Sequence, residues 1–154
     1  MKSITIKQDI SMPEIKKVEI SNELMGTNLV QSPDDSIHIT ADLYVSTSGD
    51  SGEITAESFI EIETDEENGS VSIDITEIED EDDDVDISHR SVLTIAIPEQ
   101  VMVTAETDNH FIIAGEMTND FVLSSENGSL NLRDCTGKFQ LNNENGSIKL
   151  MNIQ

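Results

Sequence analysis

Asp80, Asp82 and Asp84 stand at alternate positions in an acidic run, the spacing of the first three ligands of a calcium loop. Such a loop needs glycine at its sixth position and a bidentate glutamate at its twelfth. Those positions hold Val85 and Ser91, so the match fails. What the run can do is hold calcium loosely, with affinity on the order of millimolar, through clustered carboxylates. A second acidic set, Asp108, Glu126 and Glu144, recurs every 18 residues. Stacked in space, its members repel one another unless water or a cation lies between them. These six residues are the weak metal candidates, and no other cofactor is expected.

The remaining reactive side chains point to no chemistry. His38, His89 and His110 are too dispersed to form a metal site by spacing. Cys135 is the lone cysteine, so it has no partner within the chain and reads as a small buried hydrophobe. There is no Gly-x-Ser-x-Gly elbow, phosphate loop or dinucleotide fingerprint. Asn68, Asn127 and Asn145 each open an Asn-Gly-Ser sequon, but turn chemistry already accounts for Asn-Gly at those places.

Charge narrows the partners. The 154 residues carry a formal charge of −24. No Lys or Arg lies between Lys17 and Arg90, an interval with 22 acids, 14 of them in residues 61–86. A field of that sign repels nucleic acid and anionic lipid. No apolar stretch approaches the roughly 20 residues of a membrane span, and the opening residues do not read as a secretory leader. The sequence as written therefore predicts a cytoplasmic protein with no membrane insertion.

The elements that position these residues come from a repeat. Laid over itself at a shift of 18, the last third of the chain gives three units beginning at Val103, Phe121 and Phe139. Ala105, Leu123 and Leu141 then coincide, as do Ile112, Leu130 and Ile148, and Ala114, Leu132 and Leu150. Met117, Cys135 and Ile153 share a fifth apolar slot, and Asn109, Asn127 and Asn145 form a polar one. Within each unit the apolar residues alternate, which is the period of a half-buried strand. Asn-Gly between the strands favours a tight turn with positive φ. A fixed period near 20 residues predicts stacked coils, here an all-β parallel β-solenoid or β-helix, with Asn side chains hydrogen-bonded along their column. Leu123, Leu130, Leu132, Leu141 and Ile148 should point inward.

Upstream, Ile4/Ile6, Val18/Ile20, Ile37 through Val45 and Val71/Ile73/Ile75 also alternate and read as less regular β-structure. Glu67-Asn68-Gly69-Ser70 is a further copy of the tetrapeptide, with Val71 and Ile73 in the slots that follow it. The expected organisation is one domain over 1–154: irregular β coils to residue 76, an acidic loop at 77–90 and the regular repeat region at 91–154. Residues 77–86 read as a removable insertion.

"IAIPEQVMV", "TAETDNHFIIAG" and the repeated "NGSL" and "NGSI", with "VEISNELMGTNLV" near the start, resemble the bacterial putative adhesin family. That resemblance implies a β-solenoid domain of unknown function, a surface role by association, and no catalytic residues. The reading that follows is a non-catalytic binding or scaffold module with an unknown protein or carbohydrate ligand, and not an enzyme. A polysaccharide-acting β-helical enzyme is the alternative. It needs a cationic cluster beside acids, and Arg133, Lys138 and Lys149, the bases of the repeat, fall in different columns. The last unit ends with no cap, which predicts weak, salt-promoted self-association through residues 139–154.

Overall fold

The computed structural model describes residues 2–47, 60–76, 85–87 and 91–153, and among these it is all β. Fourteen strands follow one another: β1 (Lys2–Ile10), β2 (Lys17–Asn22), β3 (Gly26–Gln31), β4 (Ile37–Thr47), β5 (Ile60–Asp65), β6 (Ser70–Ile75), β7 (Val85–Ile87), β8 (Val92–Ile97), β9 (Met102–Thr107), β10 (Ile112–Gly115), β11 (Phe121–Ser125), β12 (Leu130–Arg133), β13 (Phe139–Asn143) and β14 (Ile148–Met151). Each alternating run of the sequence is one of them.

The strands form two sheets. Sheet A has the order β1-β4-β8-β3-β10-β12-β14, with β7 also pairing β4, and sheet B has the order β13-β11-β9-β2-β6-β5. Both sheets are mixed, so a parallel solenoid throughout is not the architecture. The parallel pairing runs through β8-β3-β10-β12-β14 in one sheet and β6-β2-β9-β11-β13 in the other. Antiparallel strands then close one side of each: β4 and β1 in sheet A, β5 in sheet B. In sheet B a short connection explains the change of sense, because the few residues between β5 and β6 can reverse the strand but cannot carry it back for a parallel pairing.

The repeat keeps its 18-residue register in both sheets. Phe121 lies between Val103 and Phe139, and Leu123 between Ala105 and Leu141. In sheet A, Leu130 lies between Ile112 and Ile148. The rings of Phe121 and Phe139 stack with centroids 5.7 Å apart. Inward residues of both sheets form one apolar core, to which Ile, Val and Leu contribute most. Leu123, Leu130 and Leu132 are buried in it as expected. Leu141 also packs against the core but is only half-buried, and Ile148, in the same slot as Leu130, is 44% exposed. A residue in this ladder is covered by the strands on both its sides, and β14 has a described neighbour only in β12.

Two further expectations change. Glu67–Ser70 is not a coil corner like its later copies. It links β5 to β6 as an antiparallel hairpin, in which Asp65 pairs with Ser70. Asp65 accepts hydrogen bonds from the Asn68 side chain at 2.8 Å and the Glu67 backbone at 3.1 Å. Val71 and Ile73 accordingly join the row of Val18 and Ile20 in sheet B, not that of Leu130 in sheet A. The acidic segment is also not wholly a loop: Val85–Ile87 pairs with Val45–Thr47 of β4. Residues 77–84, with Asp80, Asp82 and Asp84, lie outside the described residues, as does His89.

Candidate functional site

The corners between the sheets hold the candidate side chains, and their construction follows from short polar residues. At the end of β2, buried Asn22 accepts from the backbone N–H groups of Leu24 and Met25 and donates to Thr27 Oγ1 at 2.8 Å. At the end of β11, Ser125 Oγ accepts from Gly128 N at 2.9 Å. At the end of β13, Asn143 Oδ1 accepts from Gly146 N at 2.7 Å. Each caps an amide that the turn would otherwise leave unpaired. Thr107, Ser125 and Asn143 form a column at the 18-residue shift that the apolar pattern passes over, although their residue types signal it.

Gly128 and Gly146 serve these corners by close approach and not by positive φ. Positive φ among the described glycines occurs at Gly69 and Gly137. A Cβ on Gly128 would collide with the His110 carbonyl, and one on Gly146 with the Gly128 carbonyl. His110 is thus the first member of this corner column, as its slot implies.

On the solvent side, Asn127 donates to Asn109 Oδ1 at 2.8 Å, and Asn145 donates to Asn127 Oδ1 at 2.9 Å. The expected amide ladder is present. Beside it, Asp108, Glu126 and Glu144 line a groove of about 300 Å3 together with Glu23 and Glu106. Glu23 is pushed above the usual carboxylate range, first by partial desolvation and then by the neighbouring Asp108. Among the described residues no group of His, Cys, Asp and Glu is arranged to hold a metal ion. The three column acids share one surface, then, without forming a coordination shell.

A different surface gathers the cations. On the outer face of sheet A, Asn28, Ile113, Asn131 and Lys149 form one cross-strand row, and Gly115, Arg133 and Met151 form the next. Together with Val30 they line a groove of about 550 Å3. Gly115 leaves its floor open, since an added Cβ there would meet only Arg133 atoms at 4.0 Å. Arg133 is exposed and lies 3.6 Å from the Asp134 carboxylate. Arg133 and Lys149 occupy different columns, as the sequence shows, yet adjacent columns on one face bring both to the same groove. Among the described residues Glu116 is the one acid lining it. Two cations, two amides and an apolar strip can hold a polar or anionic ligand laid across the strands.

His38, on the outer face of β4, is clamped between two carboxylates: Nδ1 lies 2.6 Å from Asp9, and Nε2 lies 2.9 Å from Asp34. The Asp9 and Asp34 hydrogen bonds raise its pKa. Asp34 in turn is held below the usual carboxylate range by the Ser36 backbone amide and by His38. Cys135 is buried, with carbonyl oxygens of Arg133 and Ala114 as its polar neighbours, in keeping with a packing role. No described helix is long and apolar enough to cross a membrane.

No protein-family model matches the chain, and no curated protein matches it by sequence. Its fold is similar to that of a putative cell adhesion protein from Clostridium sporogenes, at 8% identity and a TM-score of 0.60, over 99% of this chain and 100% of the other. A putative adhesin from Parabacteroides merdae matches at 11% identity and a TM-score of 0.39, over 86% of this chain and 55% of the other. One from Bacteroides fragilis matches at 9% and 0.35, over 96% and 97%. At these identities the first likeness concerns the fold: an all-β chain built like a protein named for cell adhesion.

Proposed function

We propose that this chain is a single-domain, adhesin-like binding or scaffold module without catalytic activity, in which the parallel ladders act as a short β-solenoid and sheet A presents the ligand site. The observation that carries this reading is the groove on sheet A, where Arg133 and Lys149 meet in a chain of net charge −24. It is built on strands, which hold side chains more rigidly than loops do. The full-length fold likeness to a protein named for cell adhesion supports the same reading and a place of work at a cell surface. The ligand class is a carbohydrate or protein segment carrying carboxylates or sulfates. Calcium, if it binds, sits loosely at the acidic groove and takes no part in this contact.

Screening the chain against glycans and extracellular proteins tests the proposal, with Arg133→Ala/Lys149→Ala in parallel. Binding to an anionic ligand that falls at least tenfold in the double variant is the expected result. Equal binding by both proteins, or multiple-turnover cleavage of an acidic polysaccharide, overturns it.

A further inference from the structure

We propose that two copies of this chain join end to end through β13 and β14, around a two-fold axis that crosses both strands. β13 ends sheet B and β14 ends sheet A on the same side of the molecule, so two strand edges open together. Among the described residues neither has a neighbour beyond it. Among the described residues, the inward apolar slots are exposed only here. Leu130 and Leu132 are buried, whereas Ile148 is 44% and Leu150 is 53% exposed.

The opposite edges are protected and these are not. β5 carries Glu61, Glu63 and Asp65, and β1 presents Ser3, Thr5, Lys7 and Asp9 outward. Charged edge residues keep strands from pairing with other copies. β13 (FQLNN) has no charge, and β14 (IKLM) has only Lys149.

The charge distribution selects this end for contact between like copies. Residues 121–154 hold three acids (Glu126, Asp134, Glu144) and three bases (Arg133, Lys138, Lys149), so the whole −24 resides in residues 1–120. Two copies meeting at this end keep their acidic parts farthest apart. A head-to-tail stack would instead press a neutral end against one whose β5 edge is acidic and whose edge strands are already protected.

Symmetry then sets the register. A two-fold axis at right angles to the strands pairs β13 with β13 and β14 with β14, both antiparallel, in a closed contact. Directly opposed residues share a face, so inward residues must meet inward residues. An axis at Lys149 would oppose two ammonium groups, which is unfavourable. An axis at Leu150 sets the two Leu150 side chains against each other and Lys149 against Met151 of the second copy. The distant −24 of each copy still repels, so the dimer strengthens as salt shortens the screening length.

Sedimentation of the 154-residue chain across a concentration series, at low and high salt, tests this, with Leu150→Lys and Leu150→Cys alongside. The expected result is a monomer–dimer equilibrium tightened by salt and weakened at least tenfold by Leu150→Lys. The far-UV circular dichroism of that variant should be unchanged, because Leu150 is half exposed. Oxidised Leu150→Cys should run as a covalent dimer, Cys135 being buried and out of reach. A monomer under all conditions, a dimer indifferent to Leu150→Lys, growth beyond two copies, or no cross-link through residue 150 each overturns the proposal.

Discussion

The side chain of Asn127 donates to Oδ1 of Asn109 at 2.8 Å, across 18 residues of sequence and one coil of structure. The Asn127 Oδ1 also accepts from Asn145. Replacing Asn127 by Ala removes both bonds at an exposed site. The expected loss is about 1 kcal/mol, at the lower end for two neutral hydrogen bonds because water can replace them. Urea unfolding checks it, and a variant as stable as the parent would show the ladder to be decorative.

Gly128 and Gly115 should respond oppositely to alanine. At Gly128 the new methyl meets the His110 carbonyl, so the coil must shift, at a cost of about 2–3 kcal/mol. At Gly115 it meets only Arg133 atoms at 4.0 Å, an ordinary contact. Thermal melts of the two variants should therefore separate by several degrees, and equal melting temperatures would contradict the corner geometry.

Leu132 and Leu150 occupy the same slot in successive strands, one buried and one exposed. Leu132→Asp buries an unpaired carboxylate and should unfold the repeat region. Leu150→Asp should leave the monomer folded. Circular dichroism distinguishes these outcomes, and a Leu132→Asp protein that melts like the parent would mean that the register is wrong.

His38 predicts a pH dependence whose sign follows from its raised pKa. The stabilisation is fully present below its ordinary value of 6.5 and is lost as pH rises through the higher folded value. Asp34, with a lowered pKa, contributes above its ordinary 3.8 and fades as pH falls through the lower folded value. The clamp therefore works between about pH 4 and 6.5 and weakens toward alkaline pH. Melting temperature should fall from pH 6 to pH 8 in the parent, and more shallowly in His38→Gln. Parallel curves for the two proteins would exclude the clamp as the cause.

Glu23 predicts the reverse kind of variant. Its raised pKa means that the charged form is disfavoured in the fold, so stability is greatest at acid pH and is lost as pH rises through the folded value. Glu23→Gln should raise the melting temperature at pH 7 and make no difference near pH 4. A gain that persists at pH 4 would point to packing and not to the charge facing Asp108.

Much of this was legible in the residues. Val103, Phe121 and Phe139 coincide at one shift because a parallel ladder sets equivalent residues side by side, so the register can be read from the chain alone. The hairpin at Asp65–Ser70 could not be read, since Glu-Asn-Gly-Ser suits a reversing turn as well as a coil corner. Nor could the exposure of Ile148: its neighbours in sequence resemble those of buried Leu130, and what separates them is that, among the described residues, β14 pairs on one side only. The groove at Arg133 and Lys149 depends on adjacency between columns, which a comparison within columns does not register. The polar column of Thr107, Ser125 and Asn143 was in plain view at the same shift, but apolar periodicity gives it no weight.

The carbonyl of His110 under Gly128, and that of Gly128 under Gly146, make each corner the seat for the next. Growth or shrinkage of this region is thereby quantised. Excising residues 121–138 would bring Phe139 to Val103 and Ile148 to Ile112 with every corner, amide and apolar slot in phase, whereas removing 17 or 19 residues would turn each strand inside out. A lineage could thus change the reach of the protein by whole units through a single recombination event, while single-residue insertions within a strand would be purged. The molecule's length is a discrete variable, set by counting corners.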